Sequence, residues 1–324
     1  MTKALITGIS GQDGSYLTEY LLELGYDVHG IIRRHSVAEN QSDRLVDTNH
    51  KITTHYGDLL DEHSLYKIVG SVMPDEIYNL AAQSHVRISS DIPSFTIKTN
   101  ALGVLNVLEV AKNIVPNAKV YQASSSEMFG NSVDEDLFQR VETPMKPVSP
   151  YGCSKLLGYH LVRHYRHAYN MHSCNGILFN HESPRRGTNF VTNKVVKAAV
   201  MIKHGLLDKL QLGNMDSSRD WGHSYDYVRA MHKIVNYDYP SDWIVASGES
   251  HTVREMCAFV FGQLNMDYND FVVQNPKLLR PEELKFLCGD SERTKHLLVW
   301  EPKYTFAKML IEMINHWELK LHRG

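Results

Sequence analysis

Ala4-Leu5-Ile6-Thr7-Gly8-Ile9-Ser10-Gly11-Gln12-Asp13-Gly14 is the stretch that decides the fold. Its first four residues carry no charge and read as a buried strand. Three glycines follow at i, i+3 and i+6, which permit a tight turn and close approach of the backbone to a ligand. Beyond them Leu17, Leu21 and Leu24 recur at helical spacing, and Gly25 is placed to end that helix. Strand, glycine turn and amphipathic helix in that order make a dinucleotide-binding entry, with the helix N-terminus facing a pyrophosphate. The G-x-x-G-x-x-G spacing departs from the commoner G-x-G-x-x-G. Its force comes from the strand before it and the helix after it.

Outward from that stretch, short β-rich runs alternate with helical patterns. Ala4 to Thr7, Val28 to Ile32, Ile52 to Tyr56, Ile77 to Leu80, Val120 to Ala123 and Gly176 to Phe179 read as six buried strands. This alternation predicts an α/β fold: a Rossmann-type, doubly wound parallel sheet with a smaller, interleaved α/β substrate-binding domain. A long helix is expected from Tyr151, after Pro150, to about Tyr169, and another from Val191 to Met201. The polar, Pro- and Gly-broken run Asn180 to Gly187 reads as a loop. Trp243 to Ala246 reads as a further strand, and Leu278-Leu279-Arg280-Pro281 as an extended segment ended by proline. The expected division assigns 1–179 and about 217–247 to the nucleotide-binding domain, and about 180–216 and 248–324 to the substrate domain.

Composition narrows the class. The 324 residues are 43% hydrophobic and 22% charged, as in an ordinary globular protein. Lys and Arg total 34 against 37 acids, a net charge of −3, so neither a nucleic-acid nor a membrane surface is expected. The N-terminus enters a strand at once and has no signal-peptide pattern. Cys153, Cys174, Cys257 and Cys288 are scattered without a C-x-x-C pair, which points to a reduced, cytoplasmic protein. No metal is expected: His164 and His167 lie at i, i+3 on a helix with no third ligand nearby in sequence.

Strand two ends in Arg33-Arg34, where a site for NAD usually places a carboxylate on the ribose 2′-hydroxyl. Arginine suits a 2′-phosphate instead, so NADP is the expected cofactor. Asp58, after strand three, is placed to accept from the adenine amine. The small Ala81 and Ala82, after strand four, let a cofactor pass close to the backbone.

The chemistry sits in Ser125-Ser126-Glu127 and Tyr151-Gly152-Cys153-Ser154-Lys155. A phenol with a pKa of about 10 needs roughly three units of lowering to act as a base at pH 7, about 4 kcal/mol. Lys155 lies one helical turn from Tyr151, and its ammonium favours the phenolate. Glu127 offers a second base, which plain alcohol oxidation does not need. The pattern predicts oxidation of an alcohol followed by a further step.

Together these features resemble the extended short-chain dehydrogenase/reductase family, and within it the GDP-mannose 4,6-dehydratase family. Asn180-His181-Glu182-Ser183-Pro184-Arg185-Arg186-Gly187 carries the narrower resemblance. So do Gly213 to His223, with its Ser218-Arg219-Asp220-Trp221 core, and Arg280-Pro281-Glu282-Glu283 followed by Gly289-Asp290. The resemblance runs from Leu5 to about Trp300. It implies conversion of GDP-mannose to GDP-4-keto-6-deoxymannose with NADP recycled in place and loss of one water. In this resemblance Tyr151 takes the C4 hydroxyl proton, Lys155 supports it, Glu127 removes the C5 proton, and Ser125 belongs to the catalytic group. Gly8, Gly11, Gln12, Asp13, Gly14, Arg33, Asp58, Leu59, Leu80, Ala81, Ala82, Ser84, Tyr151, Lys155, His181 and Arg186 would hold NADP. Ser84, Glu127, Asn180, Lys194, Arg219, Arg280 and Glu283 would hold the substrate. A homodimer or homotetramer is implied.

Some positions depart from the family pattern. Serine stands at Ser125 where threonine is usual, which keeps the hydroxyl and loses the methyl that restricts its rotamer. The segment from His35 to Asp47 diverges, and Lys285 replaces a common acid. Three other readings share parts of the pattern. A nucleotide-sugar 4-epimerase oxidises C4 but has no use for Glu127. A dTDP-glucose-type 4,6-dehydratase carries an Asp-Glu pair where Ser126-Glu127 stands. A non-catalytic NADP-sensing protein commonly loses the Tyr or the Lys, and both are present.

Overall fold

A computed structural model of the chain describes residues 1–34, 43–279 and 282–322. The strands in chain order are Lys3–Thr7 (β1), Asp27–Ile32 (β2), Thr53–Tyr56 (β3), Glu76–Asn79 (β4), Lys119–Ser125 (β5) and Ser173–Leu178 (β6). Asn180–Glu182 (β7), Leu210–Leu212 (β8), Ser218–His223 (β9), Asp242–Val245 (β10), Ser250–Thr252 (β11) and Val272–Gln274 (β12) follow. The helices are Gln12–Glu23 (α1), Glu62–Val72 (α2), Val86–Asp91 (α3), Pro93–Ile97 (α4), Gly103–Ile114 (α5) and Pro150–Ala168 (α6). Val191–Lys203 (α7), Ser224–Val235 (α8), Val253–Gln263 (α9), Glu292–Leu298 (α10) and Phe306–His322 (α11) complete them.

Seven strands form one sheet in the order β3-β2-β1-β4-β5-β6-β10, every pair parallel. The inner strands read as apolar runs because both faces are covered, whereas β3, expected to be buried, lies at the sheet edge and is mostly exposed. Ala4, Ile6 and Val28 point to a core shared with Leu17 and Leu21 of α1 and Val228, Met231 and Ile234 of α8. Their alternates Leu5, Ile31 and Ile77 point to the opposite core, against Ile68 of α2, Val107 of α5 and Val162 of α6. Strand order reverses between β1 and β4, so a crevice opens at their C-terminal ends. Among the described residues, no helix is long and apolar enough to cross a membrane.

A separate core lies beyond β6. Val196 and Ala199 of α7, Met256 and Val260 of α9, and Met313 and Trp317 of α11 pack together beneath the short sheets β11-β9-β7 and β12-β8. Asp220 of β9 binds this region to the main sheet. Its carboxylate accepts from Ser247 N at 2.8 Å, Ser247 Oγ at 2.7 Å, Gly248 N at 2.9 Å and Gly289 N at 3.3 Å.

The six expected strands are all present, with shifted ends, and Trp243 lies in the seventh. Two local expectations fail. Asn180 to Glu182 is not loop but strand β7, because Trp221 to His223 supplies its parallel partner from forty residues away. The segment before Arg280 is not extended throughout. Pro276–Leu278 forms a 3-10 turn, capped where Asn275 Oδ1 accepts from Lys277 N at 3.0 Å. Arg280 itself lies outside the described residues.

Candidate active site

The crevice at the strand reversal opens into a cavity of about 710 Å³. Every expected site residue among the described ones lines it. Gly8, at φ +71°, turns the chain from β1 toward α1. A Cβ there would meet Ala81 N at 2.9 Å, and one on Gly14 would meet Gly8 O at 2.3 Å, so both positions admit only glycine. The first helical residues of α1 have no side-chain cap, which leaves their N–H groups to a bound anion. Thr7, not anticipated from the sequence, fastens the crevice. Its hydroxyl donates to Asn79 Oδ1 at 2.6 Å and accepts from Leu80 N and Ala81 N at 3.1 and 3.0 Å.

Gln12 and Asp13 tie the glycine loop to β7. Gln12 Nε2 donates to His181 O at 3.1 Å, and Ser183 Oγ donates to Gln12 Oε1 at 2.8 Å. His181 Nδ1 donates to Phe179 O at 2.7 Å, and its Nε2 meets Asp13 Oδ2 at 2.8 Å. The ring stacks on Tyr227 at 4.5 Å. Burial opposes charge on both partners. The Asp13 carboxylate nevertheless raises the pKa of His181, while His181, Ser224 and Arg186 hold Asp13 well below the usual carboxylate range. The result is an imidazolium–carboxylate pair in the cavity wall, with both ring nitrogens of His181 engaged by protein.

Arg33 lies 4.0 Å from Asp58, both about half exposed. Arg44, also unanticipated, donates to Ser10 O at 3.2 Å and Arg185 O at 2.9 Å, bridging the glycine loop and the Asn180 to Gly187 segment. Arg186 pairs with buried Glu182 at 2.9 Å and lies 3.6 Å over the Phe190 ring.

Ser125 ends β5, and Glu127 follows in the one-turn helix Ser126–Met128, both buried. Ser125 Oγ accepts from Glu127 N at 3.2 Å. Ser149 caps α6 by accepting from Gly152 N at 3.0 Å, and Pro150 occupies the first turn. Tyr151 and Lys155 then share one face of α6, as their spacing requires. The expected lowering of the phenol by Lys155 is not what this arrangement produces. Lys155 Nζ donates to Ala123 O at 2.8 Å and sits 5.8 Å from the ring centroid. Burial pushes Tyr151 up to about 12, with a Ser125 hydrogen bond opposing and the Glu127 charge adding to the rise. Burial likewise brings Lys155 down to about 8.

On the wall formed by residues expected to hold substrate, Lys194 Nζ donates to Gln211 O at 2.6 Å, and Arg219 donates to Ser218 O and Leu284 O at 2.8 and 3.0 Å. Asn180 and Glu283 complete this wall with Ser217, Asn214 and Trp221. Those last three belong to the Gly213 to His223 motif, which was the available signal for them.

A parallel 3-2-1-4-5-6-10 sheet with a glycine crevice and a buried Tyr-x-x-x-Lys pair defines an extended short-chain dehydrogenase/reductase. Solved structures share this fold. A UDP-glucose 4-epimerase from Thermotoga maritima superposes with a TM-score of 0.87 at 22% identity, covering 99% of this chain and 100% of its own. The RMD structure from Pseudomonas aeruginosa, complexed with NADPH, gives 0.81 at 23% identity, covering 98% and 100%. Sequence comparison places the chain more narrowly. The family model described as GDP-mannose 4,6 dehydratase matches residues 5–313. GDP-mannose 4,6 dehydratase 1 of Arabidopsis thaliana is 46% identical over 322 residues, 96% of this chain and 88% of the relative. The chain belongs to the GDP-mannose 4,6-dehydratase family and is an enzyme of the hydro-lyase type.

Proposed function

We propose that this chain converts GDP-D-mannose to GDP-4-keto-6-deoxy-D-mannose, with NADP as its resident cofactor and net loss of one water. Glu127 carries the proposal, as a buried carboxylate beside the Ser125–Tyr151 pair in a cavity that also holds the glycine crevice. A dinucleotide in the crevice is supported by Gly8 and Gly14, which pack backbone on backbone too closely for a Cβ and so bring the start of α1 up to the crevice. NADP rather than NAD is supported by Arg33, a cation at the cavity edge where strand β2 ends. A nicotinamide bound there supplies a hydride acceptor and donor, and its oxidised ring adds a positive charge that favours the Tyr151 phenolate.

The protein groups handle the protons. Tyr151 takes the proton of the sugar C4 hydroxyl, and Lys155 holds positive charge one helical turn away. The resulting 4-ketone acidifies the C5 hydrogen, which Glu127 removes as general base. Loss of the C6 hydroxyl needs a proton, which Glu127 then carries to the leaving oxygen, and return to C6 of the hydride taken from C4, with a proton restored to C5, would complete the 6-deoxy product. Lys194 and Arg219 suit the diphosphate by charge, and Glu283 suits a ribose diol. The two-core arrangement supports a nucleotide-binding unit built on the main sheet and a substrate unit built on the second core.

Separation of the two half-reactions tests this. General acid–base groups contribute about 10²–10⁴-fold, so Glu127→Gln is expected to slow dehydration of GDP-mannose by that factor. Bound NADPH and a 4-keto sugar that retains its C6 oxygen should accumulate. Tyr151→Phe should stop the reaction before any NADPH absorbance appears. Mass spectrometry over a panel of nucleotide sugars reads the loss of water. Dehydration by Glu127→Gln at the wild-type rate would remove the mechanism, and conversion to an isomer of equal mass would favour the 4-epimerase reading.

A further inference from the structure

Among the described residues, one group of His, Cys, Asp or Glu side chains brings its ligand atoms together: His204, Glu318 and His322, all within 4.8 Å of one another. His204 caps the end of α7, while Glu318 and His322 stand one turn apart at the end of α11. The two helices pack through Val196, Ala199, Met313 and Trp317, so the backbones that carry the three side chains are held by a buried interface. His204 Nε2 meets Glu318 Oε2 at 2.7 Å, and the His204 and His322 rings stand perpendicular with centroids 5.7 Å apart. Lys203 Nζ donates to the other carboxylate oxygen at 2.8 Å.

We propose that His204, Glu318 and His322 form a surface site for one divalent cation of the zinc class. Two imidazoles and a carboxylate suit zinc, nickel or cobalt, with water completing the shell, and they exclude the oxygen-seeking magnesium and calcium. Donor atoms around a tetrahedral zinc at bonds of roughly 2.1 Å lie about 3.4 Å apart. The present spread of up to 4.8 Å is wider than that, so binding would require His322, exposed at the helix end, to turn inward. Lys203 opposes a cation by its charge. Its hydrogen bond nevertheless occupies only Oε1 and leaves Oε2, the oxygen facing His204, to the metal. Binding would replace the hydrogen bond between His204 and Glu318 with bonds to the metal. The metal would fasten the end of α7 to α11, and the first turn of α7 carries Lys194 at the cavity.

Zinc chloride titrated into the untagged, full-length protein against a chromophoric chelator tests the site, with cobalt chloride as a spectroscopic substitute. One equivalent should be taken up, with tetrahedral cobalt bands and a raised thermal midpoint. His204→Ala and Glu318→Gln should each weaken uptake by at least about tenfold without changing turnover. Lys203→Met should tighten it. Circular dichroism checks that each variant is folded. No uptake by the wild type overturns the proposal. So does equal uptake by His204→Ala, which would place the metal on others of the 18 histidines.

Discussion

Lys155 is held as a cation in a place that burial makes unfavourable. Its pKa falls from 10.5 to about 8, and each unit is worth about 1.4 kcal/mol, so the charged form costs about 3 kcal/mol in the folded state. The folded protein binds fewer protons here than the unfolded chain between those two values. The penalty is therefore complete below about pH 8 and fades as pH rises through 10.5. Lys155→Met is expected to abolish turnover yet raise the free energy of unfolding at pH 7 by up to about 3 kcal/mol, less about 1 for the bond lost to Ala123 O. Urea denaturation at pH 7 and pH 10 checks this, and the gain should shrink at the higher pH. An equal gain at both would assign it to packing. Arg33 makes a second prediction at this scale. Arg33→Asp should raise the Kd for NADP at least about tenfold more than that for NAD, and added salt should narrow the difference because the site is half exposed. Equal weakening of both would remove Arg33 from the 2′-phosphate.

Strand β9 shows how an element is held by one buried carboxylate. Asp220 is fully buried and faces four donors on residues 247, 248 and 289. Burial raises its pKa to about 6 against the hydrogen bonds that favour the anion. Asp220→Asn turns an amide NH₂ toward N–H donors on one side, and a buried unsatisfied donor costs about 1–3 kcal/mol. Thermal or urea unfolding should show a loss of that size, and Asp220→Ala should show no smaller one. The sign with pH is also set. A raised folded pKa contributes stability that is present below the unfolded value near 4 and lost as pH rises through about 6. The wild type should therefore lose that part of its stability across this window relative to Asp220→Asn. A flat difference between the two would mean that Asp220 is already ionised throughout. The helices α1 and α6 needed no such long-range partner to be legible: periodic leucines, Gly25 and Pro150 mark them locally. Strand β7 was not legible, because three residues have no period of their own and its partner β9 is distant in sequence.

At the scale of the whole molecule, the cavity lies where two cores meet, and it joins residues from Thr7 to Glu283. The strand, glycine turn and helix at the N-terminus, the apolar runs of the sheet and the Tyr151–Lys155 spacing were determined by the sequence alone. Each rests on local geometry: side-chain period, glycine conformation and the helical turn. The long motifs likewise specified which residues would gather in the cavity. Tertiary structure decided what each does once there. It set the Thr7 clasp across β1 and β4, the Arg44 bridge to Ser10 and Arg185, and the His181–Asp13 ion pair, none of which sequence spacing encodes. It also reversed one expectation. Sequence puts Lys155 beside Tyr151 and so favours the phenolate, but burial is a property of the folded whole and outweighs that pairing, leaving the phenol near 12. The convergence of His204 with Glu318 and His322 has the same origin, since only the packing of α7 on α11 brings together residues more than a hundred positions apart.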